Sequence, residues 1–183
     1  RLAAAGARAI VFDVTFSEAR EADEGLVDAI REVRDRVPVV LAVGGRGLSP
    51  ALREVARVGS IELAHGDPVL SPDEPDLWPV AVEVLRGPFP LPELAEGSDV
   101  LRVDARISVQ LAPARVSRGA TTAASWVLPL HPVRGSVPEV SSQADAAAWR
   151  GAVDGRIAVV GELAGLRDRP STQAGAQAGA LVH

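Results

Sequence analysis

The chain lacks five residue types and is poor in aromatic side chains. It contains no cysteine, methionine, tyrosine, lysine or asparagine, and its aromatic fraction is 3%. The absence of cysteine excludes disulfide bonds and thiolate metal sites, although it is compatible with an oxidising compartment. With so few aromatic residues, the core must be built mainly from valine, leucine, alanine and isoleucine. Because all nineteen basic residues are arginine, the arginine content indicates a GC-rich coding genome rather than an RNA- or phosphate-binding protein.

Long hydrophobic runs and blocks of like charge are also missing. No apolar stretch approaches the roughly 20 residues that span a bilayer, and no signal peptide is present. The net charge of −5 is spread along the sequence, so nucleic acid is not expected as a partner. The length of 183 residues, 47% of them hydrophobic, suits one compact domain over residues 1–183. Since the chain starts at Arg1 inside a predicted helix end, we expect a fragment of a larger protein.

The first third of the sequence alternates buried strands with amphipathic helices. Short apolar runs rich in valine and isoleucine predict strands that are covered on both faces. Apolar residues three or four positions apart predict a helix after Asp23, and Ser49-Pro50 is typical of a second helix start. The predicted strands are Ala9–Val14, Val37–Gly45 and Gly59–Ala64. This β-α-β-α-β order predicts a Rossmann-like, mostly parallel sheet with helices on both faces.

The middle of the chain is less regular, which predicts a partly antiparallel or irregular segment. Gly66–Asp76 is rich in proline and aspartate and predicts a loop. Val100–Leu111 alternates apolar and polar residues, as expected of one strand with a wet face. The other predicted elements are a helix at Val80–Leu85, a strand at Trp126–Leu130, a helix at Ser142–Trp149 with Ser142 as its cap, and a buried strand at Ile157–Val160.

Segments near the two ends of the chain share a pattern with a known family. The first segment contains, in order, Gly6-Ala7, a strand ending in Phe12-Asp13, the motif Phe16-Ser17-Glu18, an acidic pair at Asp23-Glu24, a helix, and a strand over Val39–Ala42. The second contains a strand within Gly155–Gly161, followed by Gly165-Leu166, Asp168 and Thr172. Together they resemble the type-two CHASE domain, an extracellular sensory module of bacterial cyclases, histidine kinases and serine/threonine kinases.

The sequence departs from that family at several positions after the last predicted strand. Glu162 and Leu163 stand where small or hydroxyl residues are usual, and Gln173 stands where proline is common. Gln177 and Gly179 replace a glutamate and a histidine that are frequent in the family. Any role of that carboxylate or imidazole therefore does not transfer to this chain.

The resemblance implies an extracytoplasmic sensor domain, held at the cell membrane by flanking spans that lie outside this sequence. It implies an unknown small-molecule ligand and a cytoplasmic cyclase or kinase as the output. The domain itself is expected to be non-catalytic and to carry no cofactor and no bound metal. A homodimer is compatible with this arrangement.

Two aspartates follow predicted buried strands, and they lead to the candidate ligand site. Because parallel strands end at the same edge of a sheet, and ligands bind at that edge in open α/β folds, Asp13 and Asp168 are expected to face one crevice. With Glu18 and Thr172 they supply oxygen atoms that suit a polar ligand or a hard cation such as Mg²⁺ or Ca²⁺. The alternative is structural, with each aspartate accepting N–H bonds from its own loop or pairing with a nearby arginine. Residue type favours the structural alternative, since aspartate most often serves turns and caps.

Two other functions stay open. The stretch Phe12–Phe16, with Glu162 and Asp168, loosely resembles the Mg²⁺-dependent haloacid-dehalogenase phosphohydrolases, which use an aspartate nucleophile and a late acidic pair. Against that enzyme class, the chain has no lysine, and Thr15 replaces the general acid that most such hydrolases use. The second alternative is a dimerisation module that binds no ligand. No residue is therefore predicted to be catalytic.

Overall fold

The structure, a computed structural model, describes residues 1–14, 16, 22–43, 48–64, 67–70, 77–86, 92–94, 98–118, 121–129, 138, 140–161, 171–172 and 175–176. Within these ranges it confirms the predicted α/β class, because a parallel sheet is combined with antiparallel sheets and helices. The helices are α1 (Ala22–Val33), α2 (Pro50–Val55), α3 (Val80–Leu85) and α4 (Ala146–Val153). The strands are β1 (Ala9–Phe12), β2 (Val39–Val43), β3 (Arg57–Ser60), β4 (Leu63–Ala64), β5 (Asp67–Leu70), β6 (Glu93–Leu94), β7 (Val100–Arg102), β8 (Ser108–Gln110), β9 (Ala112–Arg118), β10 (Thr121–Val127), β11 (Ile157–Val160), β12 (Ser171–Thr172) and β13 (Gly175–Ala176). None of the helices in the described part of the chain is long and apolar enough to cross a bilayer.

The parallel sheet joins the two ends of the chain. Its strand order is β11-β1-β2-β3, and every neighbouring pair is parallel. Phe12, at the end of β1, lies opposite Val160 of β11 and Leu41 of β2. The prediction of Ile157–Val160 as a strand is confirmed at both of its ends, but its predicted burial is wrong. Ile157 and Val159 are exposed, because β11 is an edge strand with one uncovered face in the described part of the chain. The predicted parallel β-α-β-α-β order is confirmed as well, with α1 between β1 and β2 and α2 between β2 and β3. The predicted range of the third strand, Gly59–Ala64, is wrong, because β3 covers Arg57–Ser60 and Leu63–Ala64 forms β4 of another sheet.

Different helices cover the two faces of this sheet. Since side chains alternate between the faces of a strand, Ile10 and Leu41 pack with α1 and α2, whereas Val11 and Val40 pack with Val80 of α3. All five residues of β2 are buried, as expected of a strand that is covered on both faces. The predicted placement of helices on both faces is therefore confirmed.

A glycine allows α3 to lie directly against β3. A Cβ atom built on Gly59 would lie 2.7 Å from the Cα atom of Val80 and 3.0 Å from its amide nitrogen. The backbone continues this contact, because the amide of Ser60 donates to the carbonyl of Trp78 (2.8 Å). The helix and the strand therefore meet backbone to backbone, without space for a side chain between them.

The middle segment is antiparallel, and one part of it was predicted wrongly. Gly66–Asp76 was expected to be a loop, but its residues Asp67–Leu70 form the buried strand β5 in a sheet of order β4-β5-β10-β9. Tertiary contacts hold this strand in place. The amide of Leu128 donates to the carbonyl of Pro68 (2.9 Å), and the Ser125 hydroxyl donates to the carbonyl of Leu70.

The alternating stretch Val100–Leu111 is a hairpin rather than one strand. β7 and β8 pair in antiparallel fashion, with Leu101 opposite Val109, in a sheet of order β6-β7-β8. The turn forms because a carboxylate oxygen of Asp104 accepts bonds from the amides of Arg106 (2.6 Å) and Ile107 (2.8 Å). This side chain competes locally with strand pairing, which is a common role of aspartate in turns.

The last helix begins later than predicted. Ser142–Trp149 was expected to be a helix capped by Ser142, but α4 starts at Ala146 and is capped by Asp145, whose side chain accepts from the amide of Ala148 (2.8 Å). α2 also differs at its start: Ser49 occupies the N-cap position as predicted, yet its side chain makes no capping bond.

Candidate functional site

The carboxyl edge of the parallel sheet contains a topological switch point. From β1 the chain proceeds through α1 to β2 on one side, while the strand on the other side of β1 is β11. In open α/β sheets, the crevice between two such strands, outside their carboxyl ends, is where ligands bind. Asp13 is the first residue after β1, and its amide donates to the carbonyl of Val160 at the end of β11 (2.9 Å).

The segment after β1 is held by aromatic and backbone contacts. The Phe12 and Phe16 rings meet edge to face, with 6.2 Å between their centroids. Asp13, between them, is half-buried. The local sequence explains this placement, since a β-branched strand ends at Phe12 and the backbone bond from Asp13 continues the ladder by one residue. The aspartate is thus fixed at the mouth of the switch point.

The four predicted site residues are placed to different degrees. Asp13 lies at the carboxyl edge, as the sequence predicts. Glu18 and Asp168 lie outside the described residues. Thr172 belongs to β12, where its backbone is opposite Gly175 of β13. The joint site of all four residues therefore stays a prediction, with one member placed where it was expected.

A cluster of arginines at the opposite, amino edge was not predicted from the sequence. It lines a cavity of about 780 Å³ formed by the starts of β2 and β3 and the carboxyl ends of α1, α2 and α3. Its guanidinium groups belong to Arg34, Arg53, Arg57 and Arg86, and its carboxylates to Asp35, Glu54 and Glu83. The sequence signal for this cluster was a glutamate within the apolar run of α3, followed three residues later by an arginine.

Two of these four arginines close the ends of helices. Nη1 of Arg57 donates to the carbonyls of Glu83 (3.0 Å) and Arg86 (2.8 Å) at the end of α3, and Nη1 of Arg34 donates to the carbonyl of Glu54 (3.1 Å) in α2. Carbonyls at helix ends lack partners within the helix, so cations and donors are favoured there. Arg34 and Arg57 therefore have a structural role in this cluster.

Glu83 is the buried charge of the amino edge. Its side chain is 3% exposed, and Nε of Arg86 donates to its carboxylate at 2.6 Å. Burial raises the pKa of Glu83 above its ordinary value, although the hydrogen bond and charge of Arg86 oppose the rise. The pKa of Arg57 is lowered by desolvation and by the nearby charge of Arg86, while Glu83 opposes that change. The two edges of the sheet thus differ, with a buried ion pair at one and Asp13 at the mouth of a crevice at the other.

Possible metal ligands are not clustered in the part of the chain that the structure describes. Within it, no group of three or more histidine, cysteine, aspartate or glutamate side chains is arranged to hold a metal ion. A single carboxylate beside backbone groups can accept hydrogen bonds from a polar ligand and can orient it.

Comparisons with protein-family profiles, with curated proteins and with solved structures find no match to this chain. The resemblance to the type-two CHASE domain is thus carried by the residues of the two end segments alone.

Proposed function

We propose that this chain is the extracytoplasmic ligand-sensing domain of a membrane-anchored bacterial signalling protein, with a cyclase or kinase as its cytoplasmic output. The observation that carries the proposal is the pairing of β1 with β11. The two segments that resemble the CHASE family supply these adjacent strands, and Asp13 lies between their carboxyl ends. A resemblance split between distant parts of the sequence thus coincides with one location in the fold.

The geometry suggests how a ligand at this edge would act. A small polar molecule between the ends of β1 and β11 would contact segments that come from the two ends of the chain. Its binding would favour one relative position of these strands over another. For this to happen the ligand must bind one arrangement more tightly, because a ligand shifts an equilibrium only by its differential affinity for the two states. Flanking membrane spans would carry this shift to the output domain, with no bond made or broken in the sensor.

The membrane side of the domain can be tested by thiol labelling, because the chain contains no cysteine. Glu32 is an exposed residue of α1, so Glu32→Cys creates a single thiol in this domain. In the full-length protein, with any other cysteines replaced by serine, a membrane-impermeant maleimide should label this thiol in intact cells. Labelling that requires permeabilised cells would place the domain in the cytoplasm and would refute the proposal.

Ligand binding at the carboxyl edge can be tested with a thermal-shift screen of small metabolites, Mg²⁺ and Ca²⁺. At least one compound should raise Tm, and Asp13→Asn should remove the effect. Asp28→Asn, at an exposed position of α1, is the matched control and should leave it unchanged. Protein that dimerises but responds to no compound would instead behave as a dimerisation module. Mg²⁺-dependent turnover of a phosphomonoester, abolished by Asp13→Asn, would identify a phosphohydrolase.

A further inference from the structure

The turn before β1 has the hydrogen bonds of a helix C-terminus. The amide of Gly6 donates to the carbonyl of Ala3 (3.2 Å), and the amide of Ala7 donates to the carbonyl of Leu2 (3.2 Å). Gly6 itself has a φ of 90°, in the left-handed region. Leu2 also packs on the core cluster that contains Ala7. These two bonds, the left-handed glycine and the apolar contact together form the Schellman motif, which caps the C-terminus of an α-helix.

This capped turn and α4 end at the same level, at the amino edge of the parallel sheet. The capped turn leads into β1 and α4 leads into β11, and these two strands are parallel neighbours. Where the two segments end, the amide of Gly155 donates to the carbonyl of Gly6 (2.9 Å). Both segments therefore approach neighbouring strands side by side and in the same direction.

The helix α4 is apolar but unburied. Its sequence over Ala146–Val153 is AAAWRGAV, and none of these residues is buried by the part of the chain that the structure describes. Val153 reaches the core of the parallel sheet, but Trp149 is only partly buried and the three alanines at the start of the helix are exposed. Most helical stability in proteins comes from packing of an apolar face, so this surface is expected to have a partner.

A groove of about 490 Å³ separates α4 from the capped turn. Its lining includes Arg1, Ala4 and Ala5 from the turn and Ala146, Trp149 and Arg150 from α4. In both segments these residues occupy positions i, i+3 and i+4, which form one face of a helix. Each segment thus presents one helical face to the other, as two packed helices do.

We propose that in the full-length protein α4 packs along a helix whose last turn is Arg1–Ala5. The capped turn is the C-terminus of this helix, and the groove is the end of the contact between the two helices. The apolar surface of α4 is then covered by the turns that lead into Arg1. The inference does not depend on the proposed sensor function, since it involves neither Asp13 nor the carboxyl edge of the sheet.

The positions that meet follow from the level at which the two segments end. Gly6 is bonded to Gly155, so Arg1, five residues earlier, is level with Arg150. Two helices that run in the same direction rise equally per residue. Ala146, four residues before Arg150, therefore lies beside about the fourth residue before Arg1.

Disulfide cross-linking in the full-length protein tests this contact, because the sequence of this domain contains no cysteine. With any other cysteines replaced by serine, Ala146→Cys is combined with a single cysteine at each of the two turns of residues before Arg1 in the natural reading frame. Mild oxidation should cross-link Ala146→Cys to a cysteine at about the fourth residue before Arg1. Positions three or four residues from that one, on the same helical face, should also react, and the cross-linked fraction should fall several-fold at the positions between them.

The matched control uses the next residue of α4. Ala147 is as exposed as Ala146 in the described chain, but it does not line the groove. Ala147→Cys should therefore cross-link several-fold less than Ala146→Cys at the same partner positions. Equal cross-linking of the two cysteines, a dependence on partner position without the helical period, or no cross-link at any position would each overturn the proposal.

Discussion

Glu83 occupies a buried position on α3 among valines, where a charged side chain needs partners of its own. Arg86 supplies a short hydrogen bond, and Arg57 lies close enough to interact with the carboxylate electrostatically. These partners do not fully offset the effect of burial on the pKa of Glu83, and that pKa is therefore raised in the folded protein. At this position the folded state therefore binds a proton more tightly than the unfolded chain does, which links stability to pH.

The first prediction follows from the sign of this linkage. A raised pKa stabilises the fold below the pKa of the unfolded chain, about 4.3 for glutamate, and this contribution is lost as the pH rises through the folded value. Glu83→Gln keeps an oxygen acceptor for Arg86 and removes the titration. Wild-type protein should therefore lose stability relative to Glu83→Gln as the pH rises from about 4 towards neutrality. Urea unfolding at a series of pH values measures the difference, and two parallel stability curves would contradict the prediction.

At the scale of single elements, the contact between β3 and α3 depends on one absent side chain. Gly59→Ala would place a Cβ atom against the backbone of Val80, so the helix must shift, at a cost of about 1–3 kcal/mol. Gly25→Ala in α1 is the matched control, because nothing lies within 4 Å of its added Cβ. Alanine favours helix there by about 0.5–1 kcal/mol. Urea unfolding should show opposite signs for the two variants, and a neutral Gly59→Ala would mean that α3 packs more loosely than described.

The β7–β8 hairpin depends on one carboxylate. Asp104→Ala removes the acceptor of two backbone N–H bonds and should destabilise the protein by about 1 kcal/mol, the usual net value of a hydrogen bond. Asp104→Asn keeps a side-chain oxygen and should recover most of the loss. Chemical denaturation of the three proteins provides the measurement, and equal losses in both variants would show that charge, rather than an acceptor, holds the turn.

The same hairpin shows where sequence reasoning about elements succeeds and where it stops. The local sequence pattern was sufficient to predict the ranges of β11 and α3. The apolar run of β11 and the helical spacing of α3 each lie within a single element. It failed for β5, whose strand conformation depends on bonds to residues of β10 and just beyond it, far along the chain. In Val100–Leu111 the alternation was real, but a turn at Asp104 divided it.

For the whole molecule, the sequence predicted the parallel sheet and the edge at which Asp13 lies, because both follow from strand order. It did not predict the arginine cluster, because that cluster is assembled from separate segments by packing. The described core lies in two regions. The parallel sheet carries one cluster of buried residues on each face, and the antiparallel part contains two further clusters, of which the one around Leu101 is the second core. α3 belongs to both regions, since Val80 packs on the parallel sheet and Val82 on the other core.

This sharing predicts that the molecule unfolds in one cooperative transition. Leu41 of the parallel sheet and Leu101 of the second core are both fully buried, so replacing either by alanine should cost about 3 kcal/mol. The partly buried Trp78 and Trp126 report on the second core by fluorescence, and amide exchange in β1 and β2 reports on the parallel sheet. If α3 couples the two regions, each variant should lower the free energy of unfolding by the same amount whether it is measured by fluorescence or by amide exchange. This is expected because all probes of a two-state transition report the same unfolding event. If Leu101→Ala shifted the fluorescence midpoint and left amide protection in β2 unchanged, the two cores would be independent, and α3 would not transmit stability between them.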